Sequence, residues 1–192
     1  MPDQLTPATP SSSRRRTLVR AGICVAGFVL AGALAGVLWR HLWSPTSGVV
    51  QQHQWFPMPF DAGAQHDFNG EAWYFVVALV AGMVLAIVAV VAMRGAELLT
   101  LVAVGLGSVA AGLVMWRVGM IGNAPDPMQL AKHAADGTKL SSRLHLASAV
   151  PLTAFPLGAL GMLMCAFLTT ARSAEEPAAP VDEPGLESVT GG

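Results

Sequence analysis

The chain has 192 residues, 53% of them hydrophobic and only 12% charged, with a formal net charge of −1. A soluble domain carries about a quarter charged residues, so a mean hydropathy of +0.53 reads as a membrane composition rather than a large soluble core. The near-neutral charge gives no electrostatic case for nucleic acid. With Cys24 and Cys165 as the only cysteines, both inside apolar runs, no exported disulfide framework is expected; they read as buried free thiols.

Residues 1–16 form a polar, basic stretch rich in Pro, Ser and Thr, expected to be a disordered tail. Arg14, Arg15, Arg16 and Arg20 then lead into the first apolar stretch, Ala21–Trp39. The start partly matches a twin-arginine export signal. The apolar run continues unbroken to Trp39 and is followed by Trp39-Arg40-His41-Leu42-Trp43, an interfacial anchor pattern, so a retained helix is expected. The basic cluster places the N-terminus in the cytoplasm by the positive-inside rule. Residues 44–70 follow as a first outer loop holding Pro45, Pro57 and Pro59.

Three further apolar stretches, at 73–93, 98–118 and 146–169, are each long enough to cross a bilayer, which takes roughly 20 residues. The turn Arg94–Glu97 is short enough to make the second and third helices antiparallel neighbours. Residues 119–145 form a second outer loop, Arg172 marks the cytoplasmic side, and residues 172–192 read as an acidic disordered tail. The expected architecture is an all-α bundle of four transmembrane helices spanning residues 17–171, with both termini cytoplasmic, in the cytoplasmic membrane. Threading the chain this way puts all five tryptophans and all five histidines on the outer side. The tryptophans read as an interface belt.

Small residues suggest how the helices pack. Gly32 and Gly36 form a GxxxG pair in the first helix. In the third, Gly105, Ser108, Gly112 and Gly119 share an arc of about 60°; in the fourth, Ala147, Ala154, Gly158, Gly161 and Cys165 do the same, within about 60°. In lipid, close backbone approach replaces the hydrophobic drive between helices, so these faces are expected to hold the bundle together. Pro151 and Pro156 are expected to distort the outer half of the fourth helix. The outer ends of the first and third helices also echo one another, as Gly36-Val37-Leu38-Trp39-Arg40 and Gly112-Leu113-Val114-Met115-Trp116-Arg117. That echo reads either as a duplicated two-helix unit or as shared interface chemistry.

Chemistry-bearing groups are sparse. No ionisable residue lies deep in a span, which argues against a proton-coupled carrier, and no CxxC pair supports thiol redox chemistry. His53, His66, His133 and His145 are the metal-ligand candidates, at spacings that match no tight motif. Glu71, Arg117, Arg143 and His145 lie near the outer boundary, where they would have to meet around a lipid headgroup to make an interfacial enzyme. Trp55, Phe56, Met58 and Phe60 form an apolar outer segment suited to the interface or to a partner.

The residues Gly32-Ala33-Leu34-Ala35-Gly36-Val37-Leu38-Trp39 with Pro45, Asn69-Gly70-Glu71 opening the second helix, and Gly105-Leu106-Gly107-Ser108 through Trp116-Arg117-Val118-Gly119 resemble an actinobacterial membrane family classed as domain of unknown function 2567. The resemblance covers roughly residues 27–122, with Asn69-Gly70 standing where Asp-Gly is expected. It implies a small integral membrane protein of no established activity and supplies no catalytic residues. The leading expectation is a non-enzymatic scaffold or accessory subunit, without a cofactor, whose partners are membrane lipids and another membrane protein or itself. The alternatives are an extracytoplasmic ligand or metal sensor and, third, a lipid-active interfacial enzyme.

Overall fold

The computed structural model describes residues 11–59, 62–93 and 97–175, with backbone alone for 11–14, 62–67 and 171–175. Four of its helices are long and apolar enough to cross a membrane. The chain has the architecture of a multi-pass membrane protein. Helix α1 spans Ser11–Leu42. It begins before Ala21 and takes in Ser11–Arg16, which correct the expected tail boundary at residue 16. Arginine is a good helix former, and adding residues to an existing helix avoids the cost of a new nucleus. The helix stops just before Ser44-Pro45, because a residue preceding proline is pushed out of the α region.

Helix α2 spans Ala62–Ala92 and so starts well ahead of Trp73, shortening the first outer loop. Helix α3 spans Glu97–Met120, with Glu97 in its first turn, where a carboxylate favours the helix dipole. Residues 1–10, 60–61, 94–96 and 176–192 lie outside the described residues, as do most of the connection between α2 and α3 and nearly all of the expected acidic tail.

The last span departs from the expected 146–169. Leu146–Ala149 are not helical; a single 3-10 turn covers Val150–Thr153. The short helix α4 covers Pro127–Ala131, and α5 runs Ala154–Glu175. The prolines explain the late start. Pro151 sits at the opening of the 3-10 turn and Pro156 in the first turn of α5, where the missing N–H has no helical partner to lose. The prolines therefore set where the helix begins rather than kinking its middle.

Helix neighbours also differ from the expected order. The closest pairings are α1 with α3 and α2 with α5; α3 with α5 and α1 with α2 meet less extensively, α2 with α3 meet little, and α1 with α5 least. The ring order is α1, α3, α5, α2, so the short connection joins helices that are not principal neighbours. Along α1 and α3 the contacts climb together: Phe28 lies against Gly107, Gly32 against Ala111, Gly36 against Met115, and Trp39 against Gly119. The pair is parallel. The starts of α2 and of the α5 segment also meet, through Glu71 and Ala147, so the second pair is parallel as well.

This arrangement gathers the C-terminal ends of α1 and α3 and the N-terminal ends of α2 and α5 at one end of the bundle. That end carries a three-stranded antiparallel sheet, in the order β2-β1-β3, built from β1 (Ser47–Gln51), β2 (Gln54–Pro57) and β3 (Lys139–Ser141). The other end carries Arg15, Arg16 and Arg20 and the α2–α3 connection. The largest fully buried side chains include Trp39, Tyr74, Phe28, Phe155, Met115 and Leu144, so the tightest core lies toward the sheet end. Along most of their length the helices present leucine, valine and isoleucine outward, as at Leu30, Leu34, Val80 and Leu106, which suits hydrocarbon surroundings.

Candidate functional site

The sheet end holds nearly all the polar chemistry of the described chain. β1 and β2 form a hairpin in which Gln51 pairs with Gln54. The two loop residues, Gln52 and His53, have φ of 51° and 60°. A two-residue loop of this kind matches strand twist but normally takes Asn-Gly, so the tip holds two ordinary residues in a conformation they rarely adopt. On the other edge, β1 pairs with β3, Gly48 opposite Leu140. The Trp55 indole N–H donates to the Leu140 carbonyl at 3.1 Å, reaching across the middle strand. Position 48 is glycine because any side chain there would collide with that indole.

The connections around the sheet are fastened to the helix ends by directed bonds. The Asn123 amide donates to the Leu144 carbonyl at 2.6 Å, and Arg40 Nη2 donates to the Gly122 carbonyl at 3.1 Å. One carboxylate oxygen of Glu71 accepts the backbone N–H groups of Ala147 and Ser148, at 2.7 and 3.2 Å. Inside the bundle, the Trp39 indole N–H donates to the Gly70 carbonyl at 2.7 Å. Its ring meets Tyr74 edge-on, with centroids 4.9 Å apart, and the Tyr74 hydroxyl donates to the Gly112 carbonyl at 2.7 Å. Trp39 is thus a fully buried core residue and not the interfacial anchor its flanking Arg40 suggests. Tyr74 is the chain's single tyrosine; a lone phenol in an otherwise apolar span was a signal that sequence reasoning passed over.

His53, His133 and His145 each sit on a different segment. His53 is exposed at the hairpin tip and His133 is exposed just after α4. His145 Nδ1 lies 3.3 Å from the Arg143 carbonyl. The side chain of His66 lies outside the described residues. Among the described residues no three histidine, cysteine or carboxylate groups come together as a metal set.

The four boundary groups proposed for headgroup chemistry each have their own neighbour. Arg117 stacks over its adjacent Trp116 ring at 5.0 Å, and Arg143 pairs with Asp126 at 3.8 Å. Asp126 also caps α4 by accepting from Met128 N–H at 3.0 Å. Glu71 and His145 make the contacts already described. Of the apolar outer segment, Trp55 and Phe56 are half-buried in β2, Met58 is 58% exposed, and Phe60 lies outside the described residues.

The small residues divide into two groups. Gly32, Gly36, Gly112 and Gly158 lie against backbone of a neighbouring helix or turn: Ala111, Met115, Leu152 and Leu79, respectively. Ser108 is fully buried, its hydroxyl donating back to the Gly105 carbonyl at 2.9 Å. Gly105 and Gly161 meet nothing within 4 Å of where a side chain would begin, so neither packs a helix pair within this chain. Each lies outside the buried face of its helix, which in α3 runs through Val104, Ala111 and Met115 and in α5 through Phe155, Ala159 and Leu163. Gly82 and Gly107, absent from the expected stripes, pack closely on Phe155 and Phe28.

In comparisons with known proteins, no family model matches the chain, and no curated protein or solved structure matches it either.

Proposed function

We propose that this chain is a non-enzymatic accessory subunit or scaffold of the cytoplasmic membrane that presents its sheet-bearing end to a partner outside the membrane. The observation that carries the reading is the way the polar groups of that end are used. Glu71, Asn123, Arg40, Trp55 and Arg143 each bond to the chain's own backbone or to Asp126, which builds a cap fixed to four helix ends. A fixed cap with an exposed Met58 beside an edge strand suits recognition, since a preorganised surface lowers the ordering cost of binding. Arg15, Arg16 and Arg20 at the opposite end support an orientation with that end in the cytoplasm.

Gly161 supports a second contact, within the membrane. Its face is exposed and free of any neighbour in the chain, alongside exposed Leu157 and Met164, and small residues let another helix approach closely. The kinship suggested by the Gly32–Trp39 and Gly105–Gly119 motifs, with the actinobacterial membrane family of domain of unknown function 2567, belongs to the same reading and rests on those motifs alone.

The test is purification from native membranes in mild detergent, with molar mass by light scattering and mass spectrometry of whatever co-purifies. A second protein in fixed stoichiometry, lost in Met58→Asp or Gly161→Leu while the bundle stays folded, is the expected result. A chain that purifies alone as a monomer, with both variants indistinguishable from it, overturns the accessory-subunit reading.

A further inference from the structure

Between α1 and α2, at the end opposite the sheet, the helices part to leave an apolar groove of about 270 Å³. Ile23, Cys24 and Gly27 line it from α1, and Leu85, Val88 and Ala89 from α2, with Arg20 at its mouth. Gly27 creates the space: nothing lies within 4 Å of where its side chain would begin. Phe28, 1% exposed, closes the deep end. We infer that this groove holds one acyl chain of an anionic phospholipid, whose phosphate is met by Arg20 and Arg16.

Three observations converge on that occupant. The first is charge. Among the described residues Arg20 is the sole charged residue lining the groove, and Arg16 stands four residues before it, on the same helix face. The same row continues through Cys24 to Phe28, so a cationic mouth leads directly into an apolar slot. Among the described residues no carboxylate lines the slot to neutralise it. Basic pockets between helices at a membrane surface recruit anionic headgroups in this way.

The second is depth. From Arg20 to Phe28 the α1 backbone rises about 12 Å at 1.5 Å per residue, close to the roughly 15 Å of one leaflet's hydrocarbon. A lipid with its phosphate at the arginines therefore has its chain alongside the groove without leaving its own leaflet. The third is size. At about 270 Å³ the groove lies just below the roughly 300 Å³ at which small-molecule pockets begin. It suits a length of one chain better than a whole compact ligand. The depth and size arguments do not depend on which side of the membrane this end occupies.

The experiment uses the full chain in phosphatidylcholine nanodiscs doped with phosphatidylglycerol or phosphatidylcholine carrying a nitroxide on the acyl chain. Electron paramagnetic resonance reads the motionally restricted fraction of each. The wild type should restrain phosphatidylglycerol in preference to phosphatidylcholine. The double variant Arg16→Gln/Arg20→Gln should cut that preference by about fivefold for each charge removed. Gly27→Leu, which fills the slot and keeps both arginines, should abolish the preference too; Val88→Phe, from the other wall, serves if Gly27→Leu does not fold. Equal restraint of the two lipids by the wild type overturns the proposal. So does a preference that survives in either the filled groove or the double variant. Survival in the filled groove would mean that the arginines act only as a surface field.

Discussion

The hydroxyl of Tyr74 donates a 2.7 Å hydrogen bond to the carbonyl of Gly112, linking α2 and α3, which face each other across the bundle and otherwise touch little. Both groups are buried, and the missing side chain at position 112 makes room for the Leu152 carbonyl of the 3-10 turn beside this bond. The Gly112 carbonyl also serves the helix ladder of α3, so the phenol uses its second lone pair. Removing the hydroxyl leaves that carbonyl partnered. Tyr74→Phe is therefore expected to cost about 1 kcal/mol, in the range of hydrogen bonds between membrane helices, with no change of fold. Trp39→Phe loses both the bond to Gly70 and part of a large buried ring, and should cost about 3 kcal/mol. Reversible unfolding in mixed micelles measures both; equal costs would contradict the assignment of Trp39 as a core residue.

The glycines give a sharper contrast. At Gly32 and Gly158 even one added carbon meets the backbone carbonyl of Ala111 or Leu79, and backbone cannot step aside as a flexible side chain can. Alanine at either position must push two helices apart and should cost about 1–3 kcal/mol. At Gly105 and Gly161 there is open space, so alanine should be neutral or gain up to about 1 kcal/mol from helix propensity. The four single variants, compared by thermal denaturation in one detergent, decide the matter. Loss of the same size at all four sites would contradict the helix order α1, α3, α5, α2.

Glu71 offers a local test of how the cap is attached. Its carboxylate accepts two backbone N–H groups just ahead of the 3-10 turn, and hydrogen bonds to charged acceptors contribute about 1.5–3 kcal/mol each. Glu71→Ala should raise hydrogen exchange at the Ala147 and Ser148 amides far more than in the helix interiors. Glu71→Gln, which keeps a neutral acceptor, should fall between. Unchanged protection at these two amides in Glu71→Ala would show that the segment is held by other contacts.

The four spans were legible because lipid demands long unbroken apolar runs, and Trp73–Met93 or Leu98–Val118 have few other readings. Helix order was not, because a chain this rich in alanine and glycine offers small faces on several sides. Gly105 and Gly161 fit small-residue arcs that the helix contacts do not use, while Gly107, off its arc, packs on Phe28. The hairpin stayed hidden because its loop, Gln52-His53, lacks the Asn-Gly signal and β2 is only Gln54–Pro57. Trp39 was misread because tryptophan beside arginine describes an interface anchor as well as a core residue near a helix end. The prolines of the last span marked an irregularity correctly, but the same residues suit a kink and a helix start. The tertiary contacts with Glu71 and the neighbouring helices decide between them.

The sheet and the orientation of the bundle can be tested together. Ser47 and Ser141 are register partners in the β1–β3 pair. Thr46 and Ser142 on one side, and Val50 and Thr138 further along, are joined by ladder hydrogen bonds: Ser142 N–H donates to the Thr46 carbonyl at 2.8 Å, and Val50 N–H to the Thr138 carbonyl at 2.9 Å. Alternation along an antiparallel ladder makes Ser47 and Ser141 a pair without mutual backbone bonds, whose Cα atoms approach to about 4.5 Å. Cysteines there are placed to oxidise, given an oxidising compartment. In a background with Cys24→Ser and Cys165→Ser, the variant Ser47→Cys/Ser141→Cys should form a disulfide in living cells, seen as a mobility shift reversed by reductant. Shifting one cysteine to Ser142→Cys should suppress it, since its side chain points to the opposite face. A pair that stays reduced in cells but oxidises readily once membranes are opened would keep the sheet and place it on the cytoplasmic side. A pair that never oxidises would contradict the register itself.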